Sequence, residues 1–85
     1  VEALTIAAQE QGLGLDMSML LARQTAIGAG CMLNYLPHPV STLRQQVTSP
    51  QGTTAAALEK LMDPAQGLIP LMQQTVKTAY QRAIE

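Results

Sequence analysis

The chain has 85 residues and a net charge of −1, with 47% hydrophobic residues, only 13% charged ones, no Phe, no Trp and two Tyr. Its five bases, Arg23, Arg44, Lys60, Lys77 and Arg82, are scattered and lack interleaved aromatics, which argues against a nucleic-acid surface. The lone cysteine, Cys31, excludes an internal disulfide and fits a reducing compartment.

A chain this short buries only about 60% of its unfolded surface, so apolar surface is left for a partner. Five helices and no strands are expected. The first covers VEALTIAAQEQ and stops at Gly12-Leu13-Gly14, since glycine at C′ ends helices. It starts on Val1 with no capping residue ahead. An upstream part, with any targeting signal, is therefore expected to have been removed. Asp16 is expected to cap the second and longest helix, running to about Tyr35 and apolar on nearly every face past Leu20. Arg23, Gln24 and Asn34 interrupt it, which argues against a membrane span. Its small residues Ala22, Ala26, Ala29 and Gly30 suggest the centre of a packed helix cluster.

Pro37-His38-Pro39 breaks that helix and begins a short one, VSTLRQQV, with proline favoured at the first helical position. After TSPQG comes TTAAALEKLMD. Pro64 and Gly67 mark the last turn, and from about Ala65 to Glu85 an amphipathic helix carries Ile69, Met72, Val76, Ala79, Tyr80 and Ala83 on one stripe.

The stretch TSPQGTTA, Thr48 to Ala55, places four hydroxyls, a proline and a glycine before a helix in a chain otherwise rich in Leu, Ala and Met. The first amides of a helix lack internal acceptors and point outward with the positive end of the dipole, a cradle suited to a carboxylate or phosphate. Hydroxyls of Ser49, Thr53 and Thr54 would add directional bonds. The plainer alternative is an interhelical loop with ordinary Ser and Thr caps, and the residues alone leave both open.

Other candidates point to structure. His38, the only histidine, stands between prolines with no Cys or acid cluster beside it, so no metal site is expected. Cys31 reads as a buried small hydrophobe, and Met17, Met19, Met32, Met62 and Met72 as core or dimer-contact filler. Gly28-Ala29-Gly30 lies mid-helix without a preceding strand or third glycine and is no dinucleotide fingerprint. Glu59 and Lys60 belong to a solvated face, and no acids are paired for acid–base work.

Gln45 to Leu61, QQVTSPQGTTAAALEKL, resembles the C-terminal signature of pyrroline-5-carboxylate reductases, approximately V-T/C-S-P-G-G-T/A-T followed by a helix of the A-L-x-x-L type. VEAL…GLGLDMSMLLARQTAIGAGCML is similar to that family's helix, glycine turn and long central helix. HPVSTLRQQV is similar to its H-P-x-x-L-K/R-x-x-V segment, and AYQRAIE to its closing helix. The resemblance covers residues 1–85 as one N-terminally truncated dimerisation domain, and the small-residue stretch ahead of the family's first helix is missing.

The resemblance implies an all-α bundle of about five helices intertwined with a second copy, as a homodimer or an oligomer of dimers in the cytoplasm. It implies a reductase that converts 1-pyrroline-5-carboxylate to L-proline with NADPH or NADH, the cofactor held by an N-terminal domain absent from this chain. By matching positions, Ser49, Gly52, Thr53 and Thr54 form a carboxylate cradle, the Thr54 hydroxyl lies near the ring nitrogen as the catalytic contact, and Val47 lines the ring pocket. Gln51 departs from the family's usual glycine, a cost of about 1 kcal/mol or more if that position needs positive φ. The competing expectation is a stand-alone helical oligomerisation module. A relative acting on another small carboxylate is a third.

Overall fold

A computed structural model describes residues 1–48 and 52–85. They form five helices, α1 (Glu2–Glu10), α2 (Leu15–Tyr35), α3 (Val40–Gln46), α4 (Thr53–Leu61) and α5 (Leu68–Ala83), with no strand among the described residues. The all-α expectation holds. The chain divides into two units, Val1–Val40 and Ser41–Glu85.

In the first unit α1 and α2 pack together as a helical hairpin. Gly12 makes the corner with φ +103°, in the region that L side chains rarely adopt. Its amide donates to the Gln9 carbonyl at 3.0 Å and the Leu13 amide to the Ala8 carbonyl at 3.3 Å, the Schellman pattern of a helix end. The cap of α2 is Gly14, in extended backbone, and Asp16 lies inside the first turn with no side-chain capping bond. Asp16 therefore favours the dipole but does not cap, a correction to the expectation. At the far end Leu36 is extended, at φ −105° and ψ 118°, as a residue before proline must be.

The hairpin seam is small. Thr5, Ser18 and Ala22 are its buried residues, and Ser18 and Ala22 are at most 1% exposed. Both buried hydroxyls turn to backbone: Thr5 donates to the Val1 carbonyl at 3.0 Å, and Ser18 to the Leu13 carbonyl at 3.5 Å. Small side chains let the helices approach closely, while the large ones, Ile6, Leu15, Met19, Ile27 and Leu33, stay exposed. For Ile27 and Leu33 the reason is length: nine residues of α1 reach about 13 Å along an α2 of about 31 Å. Ala26, Ala29, Gly30 and Cys31 consequently lie exposed on the uncovered part of α2, so Cys31 is not buried within the chain.

In the second unit Leu43 of α3 is the buried apolar residue, and α3, α4 and α5 make little contact with one another. Between α4 and α5 the chain turns on Asp63. Its Oδ1 accepts the amides of Ala65 at 2.8 Å and Gln66 at 2.9 Å, and its carbonyl accepts the Gly67 amide at 2.8 Å. This turn uses the residues expected to start the last helix, so α5 begins at Leu68 rather than near Ala65.

The Gln66 amide, then that of Ala65, holds the Asp63 carboxyl below the usual carboxylate range. A group with a lowered folded-state pKa contributes stability that is full above the unfolded carboxylate range. That contribution is lost as pH falls through the lowered value. The Ala65 and Gln66 amide resonances are expected to titrate with that low midpoint, and Asp63→Asn, which keeps the acceptor oxygen, is expected to abolish the titration. Amides that ignore acid would remove the carboxylate from this turn.

Candidate functional site

The sequence-predicted site lies where α3 gives way to α4. At the end of α3 the Thr48 amide donates to the Gln45 carbonyl at 3.1 Å and its hydroxyl to the Arg44 carbonyl at 2.6 Å. One of the four clustered hydroxyls thus closes the preceding helix, and Val47 beside it stands 56% exposed. Ser49, the proline after it and Gln51 lie outside the described residues, so the structure gives no position to the Ser49 hydroxyl or to the glutamine.

Gly52 is the cap of α4, at φ −86° and ψ 178°. That is extended backbone open to any residue, so Gly52 is not needed for a left-handed turn. As a cap it brings no side chain, and α4 has no side-chain capping bond. Thr53, Thr54 and Ala55 fill the first turn, Thr53 exposed and the other two half-buried. The first intrahelical bond runs from the Ala56 amide to the Gly52 carbonyl at 3.1 Å. Among the described residues, nothing accepts the three amides before it.

The hydroxyls follow the same logic. Thr5, Thr25, Thr75 and Thr78 each donate to a carbonyl four residues back, at 2.7 to 3.0 Å. For Thr53 and Thr54, at the first two helical positions, the carbonyls four residues back lie outside the described residues. The arrangement is a cluster of donors with a partial positive charge and no formal one, since the flanking charges are Arg44, Glu59 and Lys60. It suits a small anion and offers no general acid or base.

The structure therefore brings Gly52, Thr53 and Thr54 into one helix start, with Val47 at the end of the helix before it. No three His, Cys, Asp or Glu residues gather for a metal among the described residues. No described helix is long and apolar enough to cross a membrane. The sequence reading overlooked the groove between α1 and α2, about 450 Å³ and walled by Val1, Ile6, Leu15 and Met19. Met19, read as core or dimer-contact filler, is among its lining residues.

Residues 1–85 match the family model described as pyrroline-5-carboxylate reductase dimerisation. The chain is 36% identical over 85 residues to a pyrroline-5-carboxylate reductase of Pseudomonas aeruginosa, covering 100% of the chain and 30% of the relative. It is 38% identical over 84 residues to that of Pasteurella multocida, covering 98% and 30%. With that of Vibrio alginolyticus it shares 44% identity over 59 residues, covering 68% and 22%. The chain thus spans about 30% of the length of the first two curated relatives. No solved structure shows a significant match.

Proposed function

This chain belongs to the pyrroline-5-carboxylate reductase dimerisation family, and on that premise we propose that it is the homodimerising, substrate-carboxylate-binding part of a reductase converting 1-pyrroline-5-carboxylate to L-proline. The observation that carries the binding role is the start of α4. There the amides of Thr53, Thr54 and Ala55 have no acceptor among the described residues, in a loop without charged side chains. An anion at a helix N-terminus gains about 0.3–2 kcal/mol from the dipole, and amides supply it without a competing proton.

In this reading Gly52, Thr53 and Thr54, together with Ser49, hold the carboxylate, and Val47 covers an apolar side of the ring. The Thr54 hydroxyl, at the second helical position, faces the ring nitrogen and orients the imine. Two fixed ends leave the ring little freedom to turn, and such positioning is what the chain contributes to rate. The nicotinamide, as NADPH or NADH, supplies the hydride when bound. The residues described here do not fit it: Gly28 and Gly30 lie inside α2, where no strand-to-helix turn exists to receive a pyrophosphate. The reductase works in the cytoplasm in this reading.

The exposed apolar faces taken alone favour the competing reading, a helical module that only oligomerises. Titration of the ¹⁵N-labelled chain with tetrahydrofuran-2-carboxylate separates the two. The amide resonances of Gly52, Thr53, Thr54 and Ala55 are expected to shift, and the uncharged carboxamide is expected to leave them in place. Equal response to both compounds, or none to either, would leave only the oligomerising role.

A further inference from the structure

We propose that Thr48 is a positioning residue for the carboxylate cradle: its hydroxyl fixes the register in which the chain leaves α3 on its way to α4. The inference rests on the reading of the α4 start as an anion site and names what sets its geometry. Thr48 stands two residues past Gln46, the last residue of α3. It is half-buried and ties that helix end twice. Its amide donates to the Gln45 carbonyl, three residues back, at 3.1 Å. Its hydroxyl donates to the Arg44 carbonyl, four residues back, at 2.6 Å.

In a helix that ran on, the Arg44 carbonyl would accept the Thr48 amide. Here a tightened last turn takes that amide to Gln45, and the hydroxyl serves Arg44 in its place. Thr25, Thr75 and Thr78 also donate to the carbonyl four residues back, but from inside α2 and α5, where the backbone ladder already fixes the chain. At Thr48, beyond the end of α3, the hydroxyl decides. Without it one amide faces two adjacent carbonyls, and the exit from α3 has two registers instead of one. They differ by one residue of winding, about 100° about the helix axis.

The consequence falls on the proposed site. Val47, the proposed ring contact, directly precedes Thr48, and Gly52, the cap of α4, follows four positions on. Four steps of chain span about 14 Å at most, too short a connection to absorb a change of direction at its start. The start of α4 has its own support, the Ala56 amide on the Gly52 carbonyl at 3.1 Å. Loss of the Thr48 hydroxyl therefore unsettles Val47 relative to the amides of Thr53, Thr54 and Ala55. A site built from two helix ends binds best when both are held before the ligand arrives.

Thr48→Val and Thr48→Ser test this in the full-length protein. Valine keeps the β-branched shape without the hydroxyl, and serine keeps the hydroxyl without the methyl. Thr48→Val is expected to raise KM for the cyclic imine by about 3- to 10-fold, the worth of one neutral hydrogen bond, and to leave KM for the nicotinamide within about two-fold. Thr48→Ser, which keeps the bond, is expected to stay within about two-fold of the parent in both. In the ¹⁵N-labelled chain, Thr48→Val is expected to weaken tetrahydrofuran-2-carboxylate by the same factor as the imine. An unchanged imine KM in Thr48→Val would overturn the positioning role while leaving the cradle standing. Equal losses in both variants, equal rises in both KM values, or a Thr48→Val protein that no longer folds would also overturn it, by assigning the residue to shape or to stability. If the parent chain itself ignores the carboxylate, cradle and positioning role fall together.

Discussion

On the proposed function, Thr53→Pro in the full-length protein is expected to raise KM for the cyclic imine by about 10- to 100-fold while leaving the fold intact. The range is the loss of one hydrogen bond to a charged group, about 1.5–3 kcal/mol, at 1.4 kcal/mol per factor of ten. Thr53 is the first residue of α4, so its amide is among those without an acceptor among the described residues. Proline is favoured at that position because the missing N–H was never needed by the helix. The residue before a proline must be extended, and Gly52 already is, at ψ 178°. The substitution therefore removes the Thr53 amide, and with it the Thr53 hydroxyl, from the proposed cradle while leaving the backbone course undisturbed. Thr54→Ala removes a hydroxyl instead and is expected to lower kcat/KM through loss of imine orientation. An unchanged KM in Thr53→Pro, with the thermal midpoint retained, would show that the carboxylate is held elsewhere.

The second large effect is one of stability. A Cβ at Gly67 would run into the Leu61 carbonyl oxygen and lie 2.5 Å from the carbonyl oxygen and 2.7 Å from the amide nitrogen of Asp63. All three obstacles are backbone, so no flexible side chain can swing aside. Gly67 is also the cap of α5, and its amide closes the Asp63 turn at 2.8 Å. Gly67→Ala must displace that turn or the end of α4. Forced overpacking costs about 1–3 kcal/mol, and for a domain of this size the thermal midpoint is expected to fall by roughly 5–20 °C. An unchanged midpoint would mean that the turn reorganises freely. The apolar stripe of α5 would then not depend on it for its position.

Local chemistry made most of the helices legible. Gly12 stops α1 because the left-handed corner needs no Cβ, and Pro37 stops α2 because it excludes helical backbone at Leu36. Where a boundary moved, a competing local bond moved it. Asp63 captured the amides of Ala65 and Gln66 and delayed α5, an Asx-type turn hidden behind a strong amphipathic pattern. The start of the candidate site was legible for the same reason, since orphan amides follow from where a helix begins. How its hydroxyls divide their work was not. Thr48 turned back to Arg44, while Thr53 and Thr54 sit too early in α4 to bond within it.

The order of residues by itself determined an all-helical chain, its breaks, and a donor-rich, uncharged start to α4, because each depends on neighbours within about one helical turn. The tertiary structure alone decided which apolar residues are covered. Composition cannot distinguish a Met in a core from a Met at an open groove, and periodicity marks an apolar stripe without naming what lies against it. A short α1 on a long α2 buries Ser18 and Ala22 and leaves Ile27 and Cys31 open. That outcome follows from the lengths of the helices and the closeness of their seam.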